Sequence, residues 1–309
     1  MKESDYNPLD GGALDMDLNK EEIDHKGAFS SLPVRALTGA LYVAVIVGAI
    51  WWHPLAFLIL FGVLTGMLAW EFTTIINAGL HLQVNRLITS VAAAYFFFAM
   101  FEFVSQVAGL EIFFPFVLTV IYLLISELYL PGFRKIENWA FAFMALIYIA
   151  LPMSMLSMLM FINTPDGDLI YARTFTLALF IFLWTSDTGA YLFGSKFGRR
   201  RLFPSISPKK SWEGTIGGGV VAIIASQIIA CFSHDLCADS ELKNRLLWAG
   251  LAVVVVVFGT WGDLVESRLK RKLGVKDSGH ILPGHGGWLD RLDSALLAIP
   301  AAVIYIYLV

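Results

Sequence analysis

Charge is scarce in this chain. Asp, Glu, Lys and Arg make up 15% of its 309 residues, where a soluble domain carries about a quarter. With a mean hydropathy of +0.69, this excludes an ordinary soluble globular domain. Cysteine is nearly absent. Cys231 and Cys237 are the only two, so neither a disulfide framework nor a thiolate metal site is expected, and both read as small apolar packing residues. The GxxxxGK[ST] spacing of a nucleotide-binding phosphate loop is missing. No internal repeat or low-complexity tract occurs, and no Ser–His–Asp arrangement is visible. The first thirty residues lack the apolar core of a signal peptide. They hold eight acids against three lysines, which predicts a disordered, acidic cytosolic tail over residues 1–33.

What fills the rest is long apolar stretches, at about 34–52, 55–77, 86–107, 111–130, 138–162, 173–195, 216–233, 246–263 and 294–309. Each is long enough, or nearly so, to cross ~30 Å of hydrocarbon as a helix. Turn residues such as His53-Pro54 and Pro131-Gly132 punctuate them. The predicted fold is therefore all-α: a polytopic membrane helix bundle of about nine transmembrane helices. Residues 34–172 form N-terminal transmembrane helices. Residues 173–309 form a C-terminal region with two long loops, 196–215 and 264–293. With the N-terminus cytosolic, nineteen of the twenty-two Lys and Arg fall on the cytosolic side, as the positive-inside rule requires. Both long loops lie on that side and are basic, which suits an anionic ligand. No nucleic-acid partner is expected.

Acids inside apolar segments are costly, at roughly 2.5–3.5 kcal/mol for an Asp near the bilayer centre. Glu71, Glu127, Asp187 and Asp263 all sit in such segments. Glu71 and Glu127 read as partners of neighbouring helices. Asp187 in "WTSDTGAYLFG" and Asp263 in "GTWGDLVES" have small neighbours that let backbone or ligand approach, so both read as functional. In the first loop, "SPKKSWEG" offers Lys209 and Lys210 as point charges and Ser207 and Ser211 as hydroxyls, just before a helix. A helix N-terminus with adjacent lysines suits phosphate. The second loop holds Lys270, Arg271, Lys272 and Lys276, then a glycine-rich turn, then Asp290 and Asp293 three residues apart. Carboxylates so placed are hard oxygen ligands for Mg²⁺, which is usually shared with substrate phosphates. His280 and His285 lack the partners a zinc site needs. The same charges would also fit the salt-bridged gate of an anion transporter, although no relay crosses the midplane.

Residues Ser267 to Asp293, "SRLKRKLGVKDSGHILPGHGGWLDRLD", resemble the signature of the CDP-diacylglycerol synthases, or phosphatidate cytidylyltransferases. The pattern is Ser-x-apolar-Lys-Arg, four residues, Lys-Asp, then His-Gly-Gly-x-x-Asp-Arg-x-Asp. "SPKKSWEG" and "SDTGAY" are similar to other recurrent segments of that family, so the likeness covers about 184–294. The resemblance implies transfer of CMP from CTP to phosphatidate, releasing pyrophosphate, with Mg²⁺ as cofactor and a second cation left open. It implies that Asp263 and Asp290 bind the metal, Asp293 supports that shell, and Asp187 faces the same site. It gives Lys209, Lys210 and Ser211, with Ser207 nearby, to the CTP phosphates, and Lys270, Arg271 and Lys276 to anionic substrate groups, Lys270 and Arg271 at the phosphatidate headgroup. His285, Gly286 and Gly287 would form a close-fitting loop beneath the metal. The expected partners are CTP, phosphatidate and membrane lipids, with a homodimer left open. The expected location is a bacterial inner membrane with a cytosolic active site. A cytidylyltransferase for another lipid phosphate, a CTP-dependent lipid kinase and a CDP-alcohol phosphotransferase are the competing enzyme readings.

Overall fold

The computed structural model describes residues 32–129, 135–163, 169–233, 240–279 and 286–309. The acidic tail before residue 32, Cys237, the side chain of Glu127, and His280 and His285 lie outside the described residues. The chain is an α-helical membrane bundle. Its helices are α1 (Leu32–Trp52), α2 (Pro54–Leu80), α3 (Arg86–Val104), α4 (Phe114–Tyr129), α5 (Lys135–Ala145), α6 (Leu151–Met160), α7 (Arg173–Phe197), α8 (Trp212–Phe232), α9 (Glu241–Lys272) and α10 (Leu289–Leu308). A π-turn at Leu146–Ala150 joins α5 to α6, so the two form one span. Among the described residues, seven spans are long and apolar enough to cross a membrane, and α1 and the 110–126 segment are shorter apolar helices.

Two antiparallel hairpins interrupt the helices. β1 (Phe161–Asn163) pairs with β2 (Leu169–Tyr171), and β3 (Arg201–Phe203) pairs with β4 (Ser207–Ser211). The span boundaries expected from hydropathy hold to within a few residues, except at the two basic loops. There α9 continues as helix through Lys272, and α10 begins at Leu289. Residues 264–272 are therefore helix and not loop. Hydropathy ends a span where charges begin, but Glu266 and Lys270 pair one turn apart on α9 and keep the helix going.

Helix α8 shows how such a sequence chooses its faces. Ile216, Val220, Ile224 and Ile228, spaced by four, are exposed, as lipid-facing side chains would be. Gly214, Gly217, Gly218, Ala222, Ser226 and Ala230 line the buried face. Between apolar helices in lipid, close packing of small residues drives association. At Gly218 a Cβ would meet the Ser186 carbonyl oxygen of α7 and lie 3.1 Å from the Ala190 nitrogen. This contact fixes α7 beside α8. Across α2, α3 and α7, Phe57, Phe61, Phe97, Phe101 and Phe180 form a stacked and tilted aromatic core, with centroids 4.8 to 6.5 Å apart.

The up-and-down order of the helices brings one set of ends together. The starts of α1, α8 and α10 meet the later turns of α2, α7 and α9 there, and this end carries the polar residues described below. Gly218→Val forces backbone apart from backbone, and overpacking of this kind costs about 1–3 kcal/mol. Its unfolding midpoint in detergent should fall accordingly, and an unchanged midpoint would mean that the α7–α8 contact is looser than described.

Candidate functional site

The first part of the site is the β3–β4 hairpin and its junction with α8. The Ser211 side chain caps α8 by accepting from Gly214 N at 3.2 Å. Glu213, in the first turn, reaches back to accept from Arg199 N at 3.1 Å and Arg200 N at 3.2 Å. Short backbone and capping bonds thus set the hairpin against the helix N-terminus. A cavity of about 520 Å³ opens here, lined by Asp187, Arg201, Lys209, Lys210 and Ser211 among others. Ser207 starts β4 and is half-buried, but it does not line this cavity.

A second cavity, of about 470 Å³, lies between α1, α7, α9 and α10. Tyr42, Trp184, Asp187, Asp263, Asp290 and Asp293 contribute to its wall. Tyr42 packs edge-on to Trp184 at 6.2 Å and lies 6.3 Å from Trp288. Asp187, Leu183 and Ser294 line both cavities, so the two adjoin, with the Asp187 carboxylate at their boundary.

Backbone proximity brings α9 and α10 together at this boundary. A Cβ at Gly262 would lie 2.6 Å from the Asp293 carbonyl oxygen and 3.1 Å from Ser294 Cα, so only glycine fits. The next residue, Asp263, is thereby set beside Asp293. Its carboxylate pairs with the Lys210 ammonium and accepts from Ser267 Oγ at 3.1 Å. Asp293 Oδ1 accepts from Ser294 N at 2.6 Å. The Asp293 carboxylate feels the like charges of Asp263 and Asp187 and the opposite charge of Lys210. Lysines from α8's hairpin and acids from α7, α9 and α10 therefore meet at one place.

Asp290 is differently engaged. Its Oδ1 accepts from Lys270 Nζ at 2.6 Å, and its Oδ2 accepts from Ser278 N at 2.9 Å and Gly287 N at 2.8 Å. A further bond from Ser278 N to Oδ1 is 3.2 Å. A carboxylate offers about four lone-pair directions, and protein donors take them here. Both members of the expected metal pair line the second cavity: Asp263 lies beside the shared boundary, and the Asp290 carboxylate also ties α9, Ser278 and Gly287 together. Lys270 lies between two acids. Its ammonium lies 2.7 Å from Glu266 Oε2 as well as on Asp290, and it is largely buried. Arg271 and Lys276 are exposed and line neither cavity. Gly286 has φ +82°, a left-handed conformation that glycine adopts without strain, and Gly287 donates to Asp290. His285 lies outside the described residues.

A model of the cytidylyltransferase family matches residues 33–309. The chain belongs to the cytidylyltransferase family. Three relatives named phosphatidate cytidylyltransferase illustrate the likeness. The Haemophilus influenzae protein is 46% identical over 125 residues, 40% of this chain and 42% of the relative. The Staphylococcus haemolyticus protein is 41% identical over 163 residues, 52% and 56%. The Staphylococcus saprophyticus protein is 44% identical over 128 residues, 41% and 46%. The chain spans about half the length of the curated relatives it matches. Four further residues of this site carry little signal in the sequence. Arg201 is one of three consecutive arginines, and it lines the first cavity. Glu266 was legible only as the i,i+4 partner of Lys270. Tyr42 looked like any aromatic in a span, and Ser278 carried no signal.

The two carboxylates of α10 should respond oppositely to neutralisation in metal-free protein. Asp290→Asn leaves Lys270 without half of its compensation, and breaking a mostly buried pair costs about 3–5 kcal/mol. Asp293→Asn relieves repulsion from Asp263 and Asp187. Thermal unfolding with a chelator present should show a clear loss for the first variant and no loss, or a gain, for the second. Equal losses would contradict the division drawn here.

Proposed function

We propose that this cytidylyltransferase transfers CMP from CTP to phosphatidate, giving CDP-diacylglycerol and pyrophosphate. The observation that carries the proposal is the pair of adjoining cavities, one basic and one acidic, that share Asp187. A nucleoside triphosphate and a lipid phosphate need two such compartments with their phosphorus atoms at the boundary. The names printed for the relatives support the choice of substrates.

In this reading Lys209, Lys210 and Arg201 hold the β- and γ-phosphates of CTP in the first cavity. Ser211 holds the start of α8 toward them, where the helix N-terminus adds favourable field. The second cavity takes the phosphatidate headgroup, with Tyr42 and Trp184 as its aromatic wall. A phosphatidate oxygen attacks the α-phosphorus, and the bond from that phosphorus to the pyrophosphate oxygen breaks. The attacking oxygen is already anionic, so no strong base is needed. The barrier is anion against anion, and positioning with charge neutralisation lowers it.

The residues fit Mg²⁺ in a particular way. Among the described residues, no group of three or more His, Cys, Asp or Glu forms a ligand cluster. Mg²⁺ normally binds one or two carboxylates and takes its remaining ligands from phosphates and water. Asp263 and Asp293, with Asp187 opposite, would hold it, and Asp290 would position α10. When bound, the ion would neutralise phosphate charge at the boundary. A second cation would find its place among the same acids. Nineteen of twenty-two Lys and Arg on one side of the predicted spans support a cytosolic site. A bacterial inner membrane is the location proposed.

Purified protein given labelled CTP, phosphatidate and Mg²⁺ should form a labelled lipid and release pyrophosphate. A labelled lipid without pyrophosphate release would instead indicate a CTP-dependent kinase. Asp293→Asn should lower kcat by about 10²–10³, the scale seen when one preorganised electrostatic group is removed from a site. Lys209→Ala combined with Lys210→Ala should raise KM for CTP. Unchanged CTP dependence in that double variant would refute the assignment of the first cavity to the triphosphate.

A further inference from the structure

One buried carboxylate has no part in the reaction just described. Glu71 lies on α2 and is 4% exposed. Its Oε1 accepts from Trp288 N at 3.0 Å, and its Oε2 accepts from Leu289 N at 2.9 Å and Ser278 Oγ at 3.2 Å. No cation among the described residues pairs with it. The first N–H groups of a helix have no partner within the helix, and no local side chain caps α10 at Trp288. Glu71 serves as that cap from more than two hundred residues away. An anion is favoured there over a neutral group by the field of the helix N-terminus.

The surroundings are shaped to this carboxylate. A Cβ at Gly279 would lie 2.9 Å from Glu71 Oε1, and one at Gly287 would lie 2.5 Å from Oε2. Ser278 joins two acids at once: its hydroxyl goes to Glu71 and its N–H to Asp290. Gly287 N also goes to Asp290. The donors that orient Asp290 are thus the immediate neighbours of those that Glu71 holds, and Asp293 follows one turn later on the same helix.

We infer that Glu71 is a positioning residue for cytidylyl transfer, holding the start of α10 so that Asp290 stays on Lys270 and Asp293 faces Asp263. The inference rests on the proposed reaction. It makes a distinctive demand. The CTP phosphates are held by α8 and its hairpin, which Glu71 does not touch. Loss of its charge should therefore reduce turnover and leave CTP binding intact. Glutamine at this position keeps the shape, but its amide group turns a donor toward N–H and O–H donors, so at least one bond must break.

The test uses the full chain in detergent or nanodiscs, with Glu71→Gln and Ser278→Ala. Amide hydrogen exchange is compared in residues 286–293 and 207–216, alongside kcat and KM for CTP across an Mg²⁺ titration. The expected result for Glu71→Gln is faster exchange in 286–293 only, kcat lower by about tenfold or more, as small misplacements of reacting groups cause, and an unchanged KM for CTP. The Mg²⁺ concentration for half-maximal rate should rise. Ser278→Ala should shift the same readouts less. Should Glu71→Gln fail to fold, Ser278→Ala, which loses one hydroxyl, carries the same comparison. Wild-type exchange in 286–293 would overturn the inference, as would faster exchange with wild-type kcat. Loosening of both segments with kcat and KM changing together would reduce Glu71 to a general stabiliser and also overturn it. A wild-type protein that transfers no CMP would overturn the reaction and the positioning role with it, while the exchange comparison alone would still decide whether Glu71 holds α10.

Discussion

A carboxylate removed from water must be matched by a cation, by hydrogen-bond donors or by a bound ion, and the polar end of this bundle is organised by that requirement. Each acid is compensated differently. Glu71 has two backbone N–H groups and a hydroxyl. Asp290 has an ammonium and two backbone N–H groups. Glu266 shares the Lys270 ammonium with Asp290. Asp263 has Lys210 and a serine hydroxyl. Asp293 accepts, among the described residues, its neighbour's N–H and faces two like charges, with Lys210 as the opposite charge. The order of compensation separates acids that hold the fold from acids left with unmet charge at the boundary of the two cavities. It is the second group that a cation shared with phosphates would satisfy.

The same requirement explains why the site needs both halves of the chain. Helices α7 to α10 carry the basic hairpin and the three boundary acids. The first N–H groups of α10, at Trp288 and Leu289, have no partner within the helix, and Glu71 from α2 accepts from them. Tyr42 from α1 and Trp184 from α7 form the aromatic wall of the second cavity. The N-terminal spans therefore supply both the anchor for α10 and part of the compartment proposed for the lipid.

Much of this was legible in the sequence. The spans follow from apolar length, and the lysine pair before α8 and the aspartates of α7, α9 and α10 follow from charges in improbable places. What composition could not resolve was the orientation of each charge. Asp290 and Asp293 are three residues apart on one helix and look equivalent in sequence. Their difference arises because Lys270 and Ser278, twenty and twelve residues earlier, fold back onto only one of them. Lys270 is a similar case. A lysine in a basic run reads as a solvated charge, and only the packing of α9 against α10 shows it between two acids. Arg201 was hidden in a run of three arginines, since only strand pairing decides which one turns toward the cavity.

Close backbone approach links these points. At Gly262 the α9 and α10 chains come so near that any side chain there would strike Asp293. At Gly218 the same holds for α7 and α8. Interdigitation at these two glycines brings the Asp187 region, Lys210, Asp263 and Asp293 within reach of one another from three helices and the β4 strand. A hydrogen-bonded hairpin alone could not hold Lys210 against Asp263, because an ion pair still in contact with solvent contributes little. The helices hold the acids in place first, and the lysine then neutralises one of them. An incoming triphosphate would compete with Asp263 for Lys210, and so would uncover that carboxylate only when there is a phosphate beside it to share a cation.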